Sequence, residues 1–182
     1  VLAHISGKMR KHFIRIVPGS EITTQLGHFN VFPISTDARL PANRPKDWST
    51  LSQGIRSLEG AKVVVQNHPR DLHSSYRPFD PRHHLASTGQ NLIGRITFAN
   101  AMEVVNSGAM YSDIMRPVLD WLGLLNRGPR VSAVGASDTH TVDFVPIGQA
   151  RTMIEVGQAG AGAAPERLAA GENLVSYGLA AD

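Results

Sequence analysis

The chain has 182 residues, enough for one domain with a sizeable core, and no cysteine, which excludes disulfides, a thiolate nucleophile and a cysteine-ligated zinc site. Its net charge is +3 with a pI near 9.6, and the basic residues are scattered apart from Lys8, Arg10, Lys11 and Arg15, so no nucleic-acid partner is expected. No stretch approaches eighteen consecutive apolar residues, so no membrane span is expected either.

The start, Val1-Leu2-Ala3-His4, carries neither an initiator Met nor a basic region before an apolar core, and the chain is read as processed, trimmed or a piece of a longer protein. The compartment stays open. A helix is expected over 4–12 and a strand over 13–17. The turn Pro18-Gly19 follows and delivers Glu21. A second strand is expected near 28–32, then a Pro-, Asp- and Asn-rich loop over 33–50. Leu51, Ile55 and Leu58 at helical spacing predict a helix over 51–59, ended by Gly60.

The run Val63-Val64-Val65 predicts a strand over 63–67 leading to His68, and residues 69–91 read as an irregular excursion. A strand is expected over 102–106. The best helix spans 112–126, capped by Ser112 or Asp113, with Ile114, Val118, Trp121, Leu122 and Leu125 on one face and Pro117 as an awkward insertion. Strands follow at 131–135 and 152–156, then a flexible Gly/Ala-rich segment over 157–164 and a helix over 165–171. No internal repeat is present. Alternating strands and helices predict one α/β domain with a mainly parallel sheet or an irregular barrel.

Several of these strands end on residues that bind metals. Asp138 and His140 stand two apart after an apolar strand, so on an extended backbone they project together. Glu21, His68, and Glu103 with Asn106 stand near the ends of other apolar runs. A buried charge is costly unless paired or metal-bound, and carboxylate with imidazole suits zinc, manganese or iron. Arg70, Arg127 and Arg151 are candidate substrate-binding anion clamps, since guanidinium grips phosphate or carboxylate bidentately. Asn106 is a further candidate substrate contact. Pro69 predicts an extended His68. His73, His83 and His84 read as loop residues, and Glu103 as the partner of an arginine.

The segments Pro18-Gly19-Ser20-Glu21-Ile22-Thr23-Thr24, Gly27-His28-Phe29-Asn30, Asn67-His68-Pro69-Arg70, Met102-Glu103-Val104-Val105-Asn106, Asp120-Trp121 to Leu125-Asn126-Arg127-Gly128, and Ser137-Asp138-Thr139-His140 stand in one order. As an ordered set they resemble the PHP (polymerase and histidinol phosphatase) superfamily of metallohydrolases, in its CehA/McbA, carbaryl hydrolase-like branch, over roughly residues 10–156. The resemblance implies a distorted (β/α)7 barrel with two or three divalent metals at its carboxyl face. It implies Glu21, His28, His68, Asp138 and His140 as metal ligands, with Glu21 bridging two ions. The family's N-terminal His-X-His and Asp-His motifs have no counterpart here. An N-terminally incomplete barrel is therefore expected, which a missing N-terminal segment or a second copy of the chain would complete. Ala136 stands where the family has Asn, and Gly148-Gln149-Ala150-Arg151 where Gly-Tyr-Pro-Arg is common.

The expected activity is hydrolysis of a small-molecule phosphoester, or of an ester or carbamate, by a metal-activated water, with Glu21, Asp138 and His140 as the catalytic residues. The alternative is a degenerate or truncated domain of the same superfamily with a binding or assembly role. A polymerase-associated role is disfavoured by the absence of a basic groove.

Overall fold

The computed structural model describes residues 17–70, 79–95, 97–106, 113–141, 143 and 145–177. The helix expected over 4–12 and the strand over 13–17 lie outside these residues, apart from Val17. His73 lies outside them too.

β1 (Ser20–Thr24) and β2 (Gly27–Phe32) are joined only by Gln25 and Leu26 and pair antiparallel, Glu21 opposite Asn30 and Thr23 opposite His28. A link this short forces a hairpin. Sequence reading took Glu21 as a residue delivered by the preceding strand through the Pro18-Gly19 turn; it is in fact the second residue of its own strand. Ile22, Phe29 and Val31 turn one face into the core, and alternation places Glu21 and His28 on the other.

Helix α1 (Trp48–Arg56) starts where the Asp47 carboxylate accepts the Thr50 amide at 2.8 Å. Its Leu51 and Ile55 are fully buried and cover Phe29 and Val31. β3 (Val63–Gln66) pairs antiparallel with β2 and parallel with β6 (Ala101–Val105), and β6 pairs parallel with β7 (Ser132–Gly135). A small hairpin, β4 (His84–Leu85) and β5 (Gln90–Asn91), lies within the excursion between β3 and β6.

Helix α2 (Met115–Asn126) carries Pro117 in its first turn, where the missing amide costs no intrahelical bond, so the helix runs unbroken. Its start is Ile114 rather than Ser112 or Asp113, although the Asp113 carboxylate accepts the Met115 amide at 3.0 Å. Trp121 donates its indole N–H to the Val131 carbonyl at 2.7 Å, tying α2 to the start of β7.

β8 (Ala150–Met153) and β9 (Leu174–Tyr177) form a separate antiparallel hairpin. The Thr152 hydroxyl docks it on β7, donating to the Gly135 carbonyl and accepting the Gly135 amide, both at 3.0 Å. The segment expected to be flexible, 157–164, holds two 3₁₀ turns and the first residue of α3 (Ala164–Ala170). Leu168 of α3 packs with Val63, Val65, Ala101 and Val134 on the face opposite α1. β9 was not anticipated from the sequence.

The expected (β/α)7 barrel is contradicted. Among the described residues the main sheet is a mixed one of five strands in the order β1-β2-β3-β6-β7, with three short helices and no closure of β1 onto β7. The local reason is the β1–β2 turn. A parallel barrel needs a crossover of a dozen or more residues between neighbouring strands, and two residues cannot supply one. No helix among the described residues is long and apolar enough to cross a membrane.

Candidate metal centre

Glu21, His28 and His68 converge on the sheet face turned away from α1. The β1–β2 register sets Glu21 diagonally across from His28, within reach of long side chains, and Glu21 Oε1 lies 3.2 Å from His28 Nδ1. The His28 and His68 rings meet edge to face with centroids 4.8 Å apart. One ligand-type atom from each of the three residues lies within 4.8 Å of the other two. The Glu21–His28 separation matches the ~3.3 Å edge of a tetrahedron with bonds near 2.0–2.1 Å.

His68 leaves the end of β3 with φ of 24°, not the extended backbone expected before Pro69. Two hydrogen bonds hold this turn. The His68 amide donates to Glu103 Oε2 at 2.7 Å, and the Pro69 carbonyl accepts the Phe79 amide at 3.1 Å. Strained backbone of this kind costs roughly 1–3 kcal/mol and persists where the surroundings over-determine it.

Glu103 is buried in the middle of β6, and its partner is not the arginine expected from the sequence. Besides the His68 amide it accepts the Asn106 side-chain amide at 3.4 Å. Burial pushes its pKa up to about 7 against the pull of these two hydrogen bonds, and the negative charges of Asp138 and Glu21 add to the rise. Asn106 is a support of Glu103 here.

Asp138 follows β7 with φ of 48° and stands close enough to act on Glu103. His140 does not join the cluster: its side chain is 84% exposed, and its Nδ1–H donates to the Asp138 carbonyl at 2.9 Å. The chain leaves the extended conformation at Asp138, so the two are not held together by strand alternation; the His140 ring instead folds back on Asp138, Nδ1 3.9 Å from Oδ1.

Arg70 is not an open anion clamp. Its guanidinium grips the fully buried Asp120 carboxylate of α2, Nε to Oδ2 and Nη2 to Oδ1, the latter at 3.0 Å. His84, taken from the sequence as a loop residue, is also buried and sets Nε2 3.0 Å from Asp120 Oδ1. Burial tends to raise the Asp120 pKa. Hydrogen bonds from His84 and Arg70, with the charge of both, outweigh burial and hold it below the usual carboxylate range. Arg127 ends α2 on the other side of the sheet, and Arg151 is a half-buried residue of β8.

Sequence reading missed Glu103 as the support of His68, and Asp120 with Arg70 and His84 as a buried polar cluster. An acid inside the apolar run Ala101-Met102-Glu103-Val104-Val105 was the available signal for the first. No local signal marked the second. No family model matches the chain, and no solved structure matches it.

Proposed function

We propose that this protein is a metal-dependent hydrolase in which Glu21, His28 and His68 hold one divalent ion, zinc, manganese or iron. Its substrate is a small phosphoester, or an ester or carbamate. The observation that carries this reading is the convergence of one carboxylate and two imidazoles within 4.8 Å. Two histidines and a glutamate are a ligand set of hydrolytic zinc sites that keep a fourth position for water. The ordered motifs that resemble the PHP superfamily support the same chemistry.

A bound ion supplies Lewis acidity and brings the pKa of a water towards 7. The protein does the positioning. Glu103 holds the His68 backbone, so the imidazole is presented without reorganisation. In this reading Asp138, whose charge acts on Glu103, is the carboxylate that accepts a proton. Among the described residues no further cluster offers ligands for a second ion, which limits the two- or three-ion arrangement implied by the resemblance. The exposure of His140 favours, as a second reading, a domain that binds one ion without catalysis.

Metal content by inductively coupled plasma mass spectrometry tests both, on protein purified without chelator or affinity metal. The expected result is ~1 ion per chain, lost in His28→Ala and His68→Ala, together with phosphoesterase or esterase activity that falls with it. An ion without activity supports the second reading. No ion overturns both.

A further inference from the structure

His28, Asn30 and Phe32 alternate along β2, so they stand on one face of the sheet. Asn30 pairs directly with Glu21 on β1 and with Val65 on β3. Residues paired in this way hold their Cβ atoms about 4.5–5.5 Å apart. Two of the three candidate ligands therefore flank Asn30: Glu21 across the hairpin, and His28 two residues before it on the same face.

Its other neighbours are apolar. Val65 is 3% exposed and belongs with Val63 and Leu168 to the cluster beneath α3, and Phe32 packs against that cluster. A valine at position 30 would continue this surface and suit a strand better than asparagine does. A carboxamide set against apolar side chains costs free energy unless it is hydrogen-bonded. The Asn30 backbone is held, its N–H donating to Asn67 Oδ1 at 3.3 Å. The half-buried side chain makes no hydrogen bond to any of the described residues. A residue that departs from the pattern of its strand without a structural gain points to function, and here it stands beside the metal centre.

The chemistry of the side chain fits a specific task. A carboxamide is neutral, and its Nδ2 carries two N–H donors. Glu21, His28 and His68 leave the fourth position of a tetrahedral ion open, and a ligand there presents oxygens that carry negative charge. Arg70, the guanidinium that the sequence suggested for such an oxygen, is bound to Asp120. Asn30 supplies a donor in its place, on a strand and not on a loop.

We propose that Asn30 contacts the ligand of the metal centre, its Nδ2 donating to an anionic oxygen of the substrate or anion in the open position. This rests on the ion proposed for Glu21, His28 and His68.

Asn30→Val tests it, on the full chain loaded with whichever of zinc, manganese and iron it binds best. Metal content, urea unfolding and isothermal titration calorimetry with inorganic phosphate are the three readouts. The variant should keep ~1 ion per chain, hold or raise the urea midpoint, and bind phosphate about tenfold more weakly. Asn30→Thr, which also suits a strand and carries a hydroxyl donor, should keep more of the affinity than Asn30→Val. Asn43→Val, in the exposed loop before α1, should bind phosphate as the unaltered protein does. A lowered midpoint with undiminished phosphate affinity would make Asn30 a structural residue and overturn this proposal alone. Loss of the ion in Asn30→Val, or no phosphate binding by the loaded unaltered protein, would do the same. An unaltered protein that binds none of the three ions would overturn the hydrolase reading and this proposal with it.

Discussion

Glu103 shows how one residue can set the geometry of a site it does not face directly. Its carboxylate accepts the amide of His68 at 2.7 Å and so stabilises a backbone conformation that non-glycine residues seldom adopt. Removing it leaves a half-buried amide without its acceptor, worth roughly 1–3 kcal/mol, and frees the loop that presents the imidazole. Glu103→Ala is therefore expected to weaken metal binding by about 10–100-fold, the usual cost of losing a residue that orients a ligand. Competition against a chelator of known affinity measures this. Undiminished affinity would mean that His68 needs no such support.

At the scale of elements, two close contacts decide the arrangement. The β1–β2 turn makes a hairpin where a crossover was expected, and it is this hairpin that brings Glu21 beside His28. On the other side, α2 packs against the β4–β5 hairpin through Gly123, where an added Cβ would lie 2.2 Å from the Ala86 carbonyl oxygen. Helix propensity alone favours alanine over glycine by about 0.8–1.0 kcal/mol. Overpacking against backbone costs typically 1–3 kcal/mol and here has no flexible side chain to relieve it. Gly123→Ala should thus lower the urea midpoint despite the better helix former, and a raised midpoint would show that the hairpin can withdraw at little cost.

Across the whole molecule, Asp120 joins three parts distant in sequence: α2 through its own backbone, the metal-centre loop through Arg70, and the β4–β5 hairpin through His84. Breaking a buried ion pair such as Arg70–Asp120 typically costs about 3–5 kcal/mol, and Asp120→Asn should destabilise by that order. The pH dependence has a definite sign. The folded-state pKa of Asp120 is lowered, so its contribution is present above the unfolded value near 3.9 and is lost as pH falls through the lowered one. The stability gap between Asp120→Asn and the unaltered protein should be constant near neutrality and shrink in acid, as read from urea unfolding in a pH series. A gap that stays level into acid would place the effect in packing instead of charge.

Local period and residue chemistry were enough to locate most elements and to single out the three residues that converge in the candidate centre. The strands near 28–32, 63–67, 102–106 and 131–135 and the helices near 51–59, 112–126 and 165–171 all form, within a few residues of their expected ends. Apolar alternation and helical spacing depend on neighbours in sequence, so they can be read there. The chemistry of Glu21, His28 and His68 as metal-ligand types was equally legible, because it belongs to the side chains themselves.

Partner choice was decided only by the tertiary structure. Whether the sheet closes depends on how strands pair over long separations. Whether His140 reaches Asp138's neighbours depends on one backbone turn at φ 48°. Whether Arg70 is an open clamp depends on Asp120, fifty residues away along the chain. The physical reason is common to all three: a charge or a strand edge is satisfied by whatever the fold brings within a few ångströms, and that distance is set by the packed core.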